Sequence, residues 1–237
     1  MDLKGRTAVV TGASRGIGLA IAEALAAEGV HLVLNARAAG PLEVAATAIR
    51  KAGVKVATVA GDAAEEETAS RLVEAAEGLS GRLDVAVCNA GIGHRGPLES
   101  MAPAEFDRVC RTNLRGPFLL MRAAVPAMRR AGGGTIVSVA SLAGLNPVPQ
   151  RAAYAATKWG LIGLSRSLMQ EVRRDGIRVL ILEPGSTLTE FGHDPAKMEN
   201  AEKLVRPEDV ASILVAALKL PARATVSEIE IRPTDPP

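Results

Sequence analysis

Short runs of Val, Ile, Leu and Ala recur along the chain, separated by longer stretches in which apolar residues return every three or four positions. Short, nearly unbroken apolar runs fit strands buried on both faces, and the longer period fits amphipathic helices between them. Strands are predicted at residues 7–12 (TAVVTG), 31–36 (HLVLNA), 55–60 (KVATVA), 83–89, 134–140, 177–184 and 227–233. Helices are predicted over 16–29, 41–52, 64–79, 103–131, 151–174 and 207–220, punctuated by Gly29, Gly53, Pro103, Gly132 and Pro207. Alternation of this kind predicts an α/β fold: a doubly wound parallel sheet of about seven strands with helices on both faces. Residues 185–206 break the pattern, being polar, holding Gly192 and Pro195, and running long for a connection; they are expected to form a substrate lid. No fixed-period repeat or low-complexity linker divides the chain, so residues 1–237 are expected to form one domain.

Composition narrows the function classes. A hydrophobic fraction of 48% with 23% charged residues describes a chain able to bury a core. A formal net charge of +2 is too small to make nucleic acid or an anionic membrane the expected partner. The N-terminal MDLKGRTAVV has no apolar core with a cleavage site, and no apolar run reaches membrane-span length, so a cytoplasmic location is expected. Cys88 and Cys110 stand in apolar surroundings outside any CxxC spacing and are read as buried, reduced thiols. His31, His94 and His193 follow no HExxH pattern, so no metal site is expected.

Candidate chemistry begins directly after the first predicted strand. There TGASRGIG sets Gly12, Gly16 and Gly18 between a strand and a helix, which lets backbone N–H groups and the helix N-terminus approach a pyrophosphate, as in a Rossmann-type sheet. At the end of the second strand an acidic residue favours ribose hydroxyls, whereas an arginine favours a 2′-phosphate. Here Asn35 and Ala36 leave the acidic position empty and Arg37 follows, with Arg15 available from the glycine loop. A guanidinium fork suits a phosphate, so the expected cofactor is NADP (NADPH); the alternative is that both arginines are solvated surface charge.

The chain resembles the single-domain short-chain dehydrogenase/reductases. TGASRGIG matches their cofactor loop, CNAG (88–91) the motif after their fourth strand, YAATK (154–158) their Tyr-x-x-x-Lys, and EPGSTLTE (183–190) their Pro-Gly segment near the nicotinamide. These motifs occur in family order across nearly the whole chain. The resemblance implies a catalytic set of Asn113, Ser141, Tyr154 and Lys158. It implies cofactor contacts from Gly12, Ser14, Arg15, Gly16, Ile17, Gly18, Arg37, Asp62, Ala63, Asn89, Ala90, Gly91, Tyr154, Lys158, Pro184, Gly185, Thr187 and Thr189. Thr187 stands where the family often has Val or Ile, and the C-terminal SEIEIRPTDPP lacks a common Gly-Gly ending.

The residues support that chemistry on physical grounds. Tyr154 and Lys158 are i, i+4 neighbours on a predicted helix and share a face. Moving a phenol pKa from ~10 to ~7 takes about 4 kcal/mol, roughly what a unit charge at ~4 Å supplies at an effective dielectric near 20. Ser141, 13 residues before Tyr154, ends the fifth strand, where open α/β sheets bind ligands. The expected function is NADPH-dependent hydride transfer between nicotinamide and a carbonyl or secondary alcohol, with Tyr154 as general acid/base. A catalytically silent NADP(H)-binding sensor or interaction protein on the same fold is the alternative.

Substrate choice is expected to reside in residues 91–99, 141–150 and the lid, with His94, Arg95, Gln150 and Phe191 as polar or shape-setting elements; His94 is read as a solvent-facing loop histidine with no catalytic role. Apolar faces in PFLLMRAAVPAM and WGLIGLSRSLM predict helix-to-helix assembly into a homodimer or homotetramer.

Overall fold

The computed structural model describes residues 2–191 and 201–235. Seven strands form a single sheet: β1 Thr7–Thr11, β2 His31–Ala36, β3 Val56–Ala60, β4 Val85–Cys88, β5 Gly134–Val139, β6 Ile177–Pro184 and β7 Glu228–Ile231. Their spatial order is β3-β2-β1-β4-β5-β6-β7 and every pairing is parallel. The order reverses between β1 and β4, so the carboxyl ends of those strands open a crevice where such sheets take ligands.

Alternating strand side chains feed two cores. Val10, Leu32, Leu34 and Leu182 pack with Ile21 and Leu25 of α1 (Gly16–Ala27), Leu42 of α2 (Ala39–Arg50) and Leu214 of α7 (Pro207–Lys219). Val9, Val33, Ile136 and Val179 face the opposite way, onto Leu72 of α3 (Glu66–Ser80), Leu120 and Met128 of α5 (Gly116–Arg130), and Leu161 of α6 (Ala152–Val172). Burial on both faces is the physical reason the strands read as continuous apolar runs rather than alternating ones.

The helix predicted over 103–131 is three pieces. After α4 (Pro103–Cys110) comes a π-helical turn, Arg111–Arg115, and then α5. The Gly116 N–H donates to the Arg111 carbonyl, five residues back. Pro117 has no N–H to offer the Asn113 carbonyl four residues before it, so the α-type ladder is interrupted where Asn113 turns inward. Asn113 is completely buried.

Two further expectations need correction. Cys88 is buried and burial pushes its thiol up to about 12, but Cys110 is only half-buried; neither forms a disulfide. His94 does not face solvent: it is half-buried, with Nδ1 3.6 Å from Glu105 Oε1. Of the predicted lid, residues 192–200, with His193, lie outside the described residues. Its two ends are stitched together, the Leu188 N–H donating to Val205 O (2.8 Å) and the Val205 N–H to Ser186 O (3.1 Å).

Candidate active site

The β1–α1 turn, the carboxyl ends of β2 to β6 and the start of α7 enclose a cleft of about 480 Å³. Every residue of the sequence-predicted set lines it except Gly18 and Asn113, which lie behind its wall.

The phosphate end is built by close backbone approach. Gly12 holds a positive φ of 65°, and a Cβ there would stand 2.9 Å from Asn89 Nδ2. A Cβ on Gly18 would fall 2.3 Å from the Gly12 carbonyl oxygen and 2.4 Å from Asn89 Nδ2, so α1 can seat against this turn only without a side chain. Gly16, Ile17 and Ser14 form the rim where α1 begins, with its N-terminal amides turned to the cleft.

Thr11, the first residue of TGASRGIG but not among the predicted site residues, fixes the loop after β4. Its hydroxyl accepts from the N–H groups of Asn89 (3.0 Å) and Ala90 (3.1 Å) and donates to Val87 O (3.1 Å). Asn89 Nδ2 donates back to Thr11 O (2.9 Å). The side chain of Asn89 is therefore spent on holding two strand ends together, leaving Ala90 and Gly91 to present backbone to the cleft.

At the far end the fit to a 2′-phosphate is chemical. Ala36 offers no carboxylate, and Arg37 is exposed on the rim. Asn35 is buried and its amide donates to Val59 O and Gly61 O, tying β2 to β3. Asp62 accepts from the Ala64 N–H (2.9 Å), and its other oxygen lies 3.5 Å from an Arg111 nitrogen. Arg111 also pairs with Glu65, so the β3–α3 turn carrying Asp62 and Ala63 is anchored to the π turn. Arg15 is not free: its guanidinium lies 2.7 Å from Glu190.

The reacting end gathers Ser141, Tyr154 and Lys158. Ser141 follows β5 and caps a short 3-10 turn; its oxygen accepts from the Ala143 N–H (3.2 Å), and the residue lines the cleft with Tyr154. Tyr154 and Lys158 share the inner face of α6 and are 7% and 5% exposed, values that commit both polar tips to the cleft wall rather than to bulk water. Lys158 Nζ donates to Val139 O (2.8 Å) and stands 5.7 Å from the Tyr154 ring centroid.

Asn113 braces this arrangement from behind. Its Oδ1 accepts from the Ile92 N–H (2.8 Å), and its Nδ2 donates to Ile92 O (2.9 Å) and to Thr157 Oγ1 (3.1 Å). The Thr157 hydroxyl donates to the Tyr154 carbonyl (2.7 Å), so one carboxamide links the loop after Gly91 to the turn of α6 that bears the tyrosine.

The electrostatics differ from the simple charge-pair expectation. Burial raises the Tyr154 phenol above its ordinary value, opposed by the Ser141 hydrogen bond and then by the Arg151 charge. Burial also lowers the Lys158 ammonium to about 8. Desolvation is the leading influence on both groups, acting against the phenolate and against the ammonium. The phenol is thus kept in its protonated form.

Beyond these, Pro184 and Gly185 close β6, Thr187 donates from its hydroxyl to Gly185 O (3.1 Å), and Thr189 accepts from the Phe191 N–H (3.3 Å). The Phe191 ring packs tilted against Tyr154. The Glu183 carboxyl, just before Pro184, is buried with Oε1 unpartnered among the described residues, and burial lifts it to about 6.

A parallel sheet in this order, with a glycine-rich β1–α1 turn and a Ser-Tyr-Lys group across the cleft, defines the class of dinucleotide-binding α/β oxidoreductases. The chain belongs to the short-chain dehydrogenase/reductase family: residues 6–200 match the family model of short chain dehydrogenases. A glycine betaine reductase from Emericella nidulans is 34% identical over 243 residues, covering 99% of this chain; the chain spans only 19% of that protein. A metagenomic short-chain oxidoreductase solved with NADP is 38% identical, covers 100% of both chains and superposes with a TM-score of 0.86. L-sorbose reductase from Gluconobacter frateurii, solved with NADPH and L-sorbose, is 32% identical over 98% of both chains, with a TM-score of 0.90. The chain is an NAD(P)-dependent oxidoreductase of this family.

Proposed function

We propose that the protein is an NADPH-dependent carbonyl reductase, equally able in principle to run the reverse alcohol oxidation, and that residues 1–237 act as one dinucleotide-binding and catalytic unit. The observation that carries this reading is that Ser141, Tyr154 and the buried Lys158 line one cleft with the glycine-rich turn after β1. The bound cofactor supplies or accepts the hydride. The chain's own residues do the rest. Tyr154 donates its phenolic proton to the oxygen of the carbonyl being reduced, and Ser141 donates a hydrogen bond to that oxygen as its charge grows. Lys158 holds positive charge beside the phenol and hands it a proton afterwards. Pro117 denies the Asn113 carbonyl its α-type donor, and that carbonyl accepts a water that passes protons from solvent to Lys158. Arg37 and Arg15 hold the 2′-phosphate, with Ala36 leaving room for it. Both solved relatives described above carry NADP or NADPH, which supports the cofactor reading.

Exposed Phe106, Phe118 and Trp159, on α4, α5 and α6, support assembly through that helical face into a dimer or tetramer. Light scattering at micromolar concentration should return a multiple of the 24.5 kDa chain mass; a monomer contradicts it.

The activity is tested by following NADPH absorbance against a panel of ketones, aldehydes, sugars and 3-oxoacyl thioesters. At least one class should be turned over. Tight NADPH binding without turnover of any class overturns the enzymatic reading and favours a sensor.

A further inference from the structure

One ion pair joins the glycine-rich turn to the segment after β6. Arg15 Nη1 lies 2.7 Å from Glu190 Oε2, although the two residues are 175 apart in sequence. The residues on either side of Glu190 are also held. Thr189 Cγ2 stands 3.4 Å from where a Gly16 Cβ would be, and the Phe191 ring centroid lies 5.8 Å from that of Tyr154 at an interplanar angle of 54°. The glutamate is therefore delivered to Arg15 by a short strap with contacts at both ends, rather than by a freely swinging side chain.

Arg15 thus already carries an anion. Its counterpart on the other rim, Arg37, has no carboxylate partner among the described residues. A phosphate monoester at neutral pH carries about −1.5 to −2 charges and binds a guanidinium by charge-assisted hydrogen bonds, so it and a carboxylate compete for the same fork and repel each other. A cofactor with a 2′-hydroxyl brings no charge to this place and has no reason to break the pair.

We propose that Glu190 is a specificity-determining residue: its carboxylate occupies Arg15 in place of the 2′-phosphate, and NADP(H) must displace it to use that arginine. The proposal rests on the NADP reading above. The pair lowers NADPH affinity while leaving NADH affinity untouched, so the native enzyme discriminates between the two cofactors less sharply than its two arginines allow. Both side chains are more than two-thirds exposed, and exposed ion pairs set the size of the effect at about two- to fivefold.

The test is a set of direct titrations, read by the fluorescence of the reduced nicotinamide, with NADPH and NADH on wild type, Glu190→Gln, Arg15→Gln and the double variant. Glu190→Gln should tighten NADPH about threefold and leave NADH within about 1.5-fold, and it should have no effect on NADPH once Arg15 is Gln. Equal tightening of both cofactors, unchanged or weaker NADPH binding in Glu190→Gln, or an undiminished effect on the Arg15→Gln background overturns the proposal. A wild type that binds NADH more tightly than NADPH overturns the cofactor reading together with it. A wild type that prefers NADPH while Glu190→Gln changes nothing removes this inference alone. The substituted side chain is isosteric and exposed, so loss of folding does not confuse the result.

Discussion

Replacing Tyr154 with Phe should lower kcat for carbonyl reduction by about 10²- to 10⁴-fold while NADPH affinity stays within about twofold of wild type. The substitution removes one oxygen atom. It keeps the ring that packs against Phe191 and lies near Lys158, and it deletes only the phenolic hydroxyl. Stability should therefore change little, because the Ser141 oxygen keeps its bond from the Ala143 N–H. Affinity measured by nicotinamide fluorescence and rate measured by absorbance separate the two effects. A variant retaining more than about a tenth of wild-type kcat contradicts the assignment of Tyr154 as acid. The pH profile carries the same information from another side. Burial raises the Tyr154 phenol, so the donor form persists through neutral pH, and Lys158 loses its charge only as pH rises past about 8. Wild-type reduction should be level through neutrality and decline above that value.

Replacing Arg37 with Asp should reverse the cofactor preference. It removes a guanidinium from the rim of the cleft and installs a carboxylate at the end of β2, where such a group accepts hydrogen bonds from ribose hydroxyls and repels a phosphate. A hydrogen bond between charged groups contributes about 1.5–3 kcal/mol, and like-charge repulsion adds to the loss, so the NADPH-to-NADH ratio of kcat/KM should fall by about 10²-fold or more. An unchanged ratio identifies Arg37 as a solvated surface residue. The effect should exceed that of Glu190→Gln because it changes the sign of a charge rather than removing a competitor.

The strands were legible because β1, β2, β4, β5 and β6 are buried on both faces, which makes them mostly apolar and rich in Val, Ile, Leu and Ala. The glycine turn was legible because close packing permits no Cβ at Gly12 or Gly18. The break between α4 and α5 was not, since Gly116-Pro117 lies in an apolar pattern that continues on both sides, and only the inward turn of Asn113 gives the π turn its purpose. Thr11 stands in the quoted TGASRGIG, but its role was not legible, since it lies in accepting two N–H groups from a loop 78 and 79 residues away, a pairing that only strand order creates. Glu190 reads as an ordinary surface glutamate until the segment after β6 brings it to Arg15. The sign of the Tyr154 shift was missed because charge spacing along a helix reveals the neighbour but not the desolvation that both groups undergo.

The central claim is that this cleft moves a hydride from the cofactor to a carbonyl carbon while Tyr154 supplies the proton. The most direct measurement is a single turnover of NADPH carrying deuterium at the transferable C4 position, with the carbonyl that the panel ranks first, followed by mass analysis of the alcohol. Wild type should place one deuterium on the carbinol carbon, and Tyr154→Phe, saturated with the same cofactor, should leave the carbonyl unreduced on that timescale. An alcohol formed without the label, or labelled equally fast by the phenylalanine variant, contradicts the account.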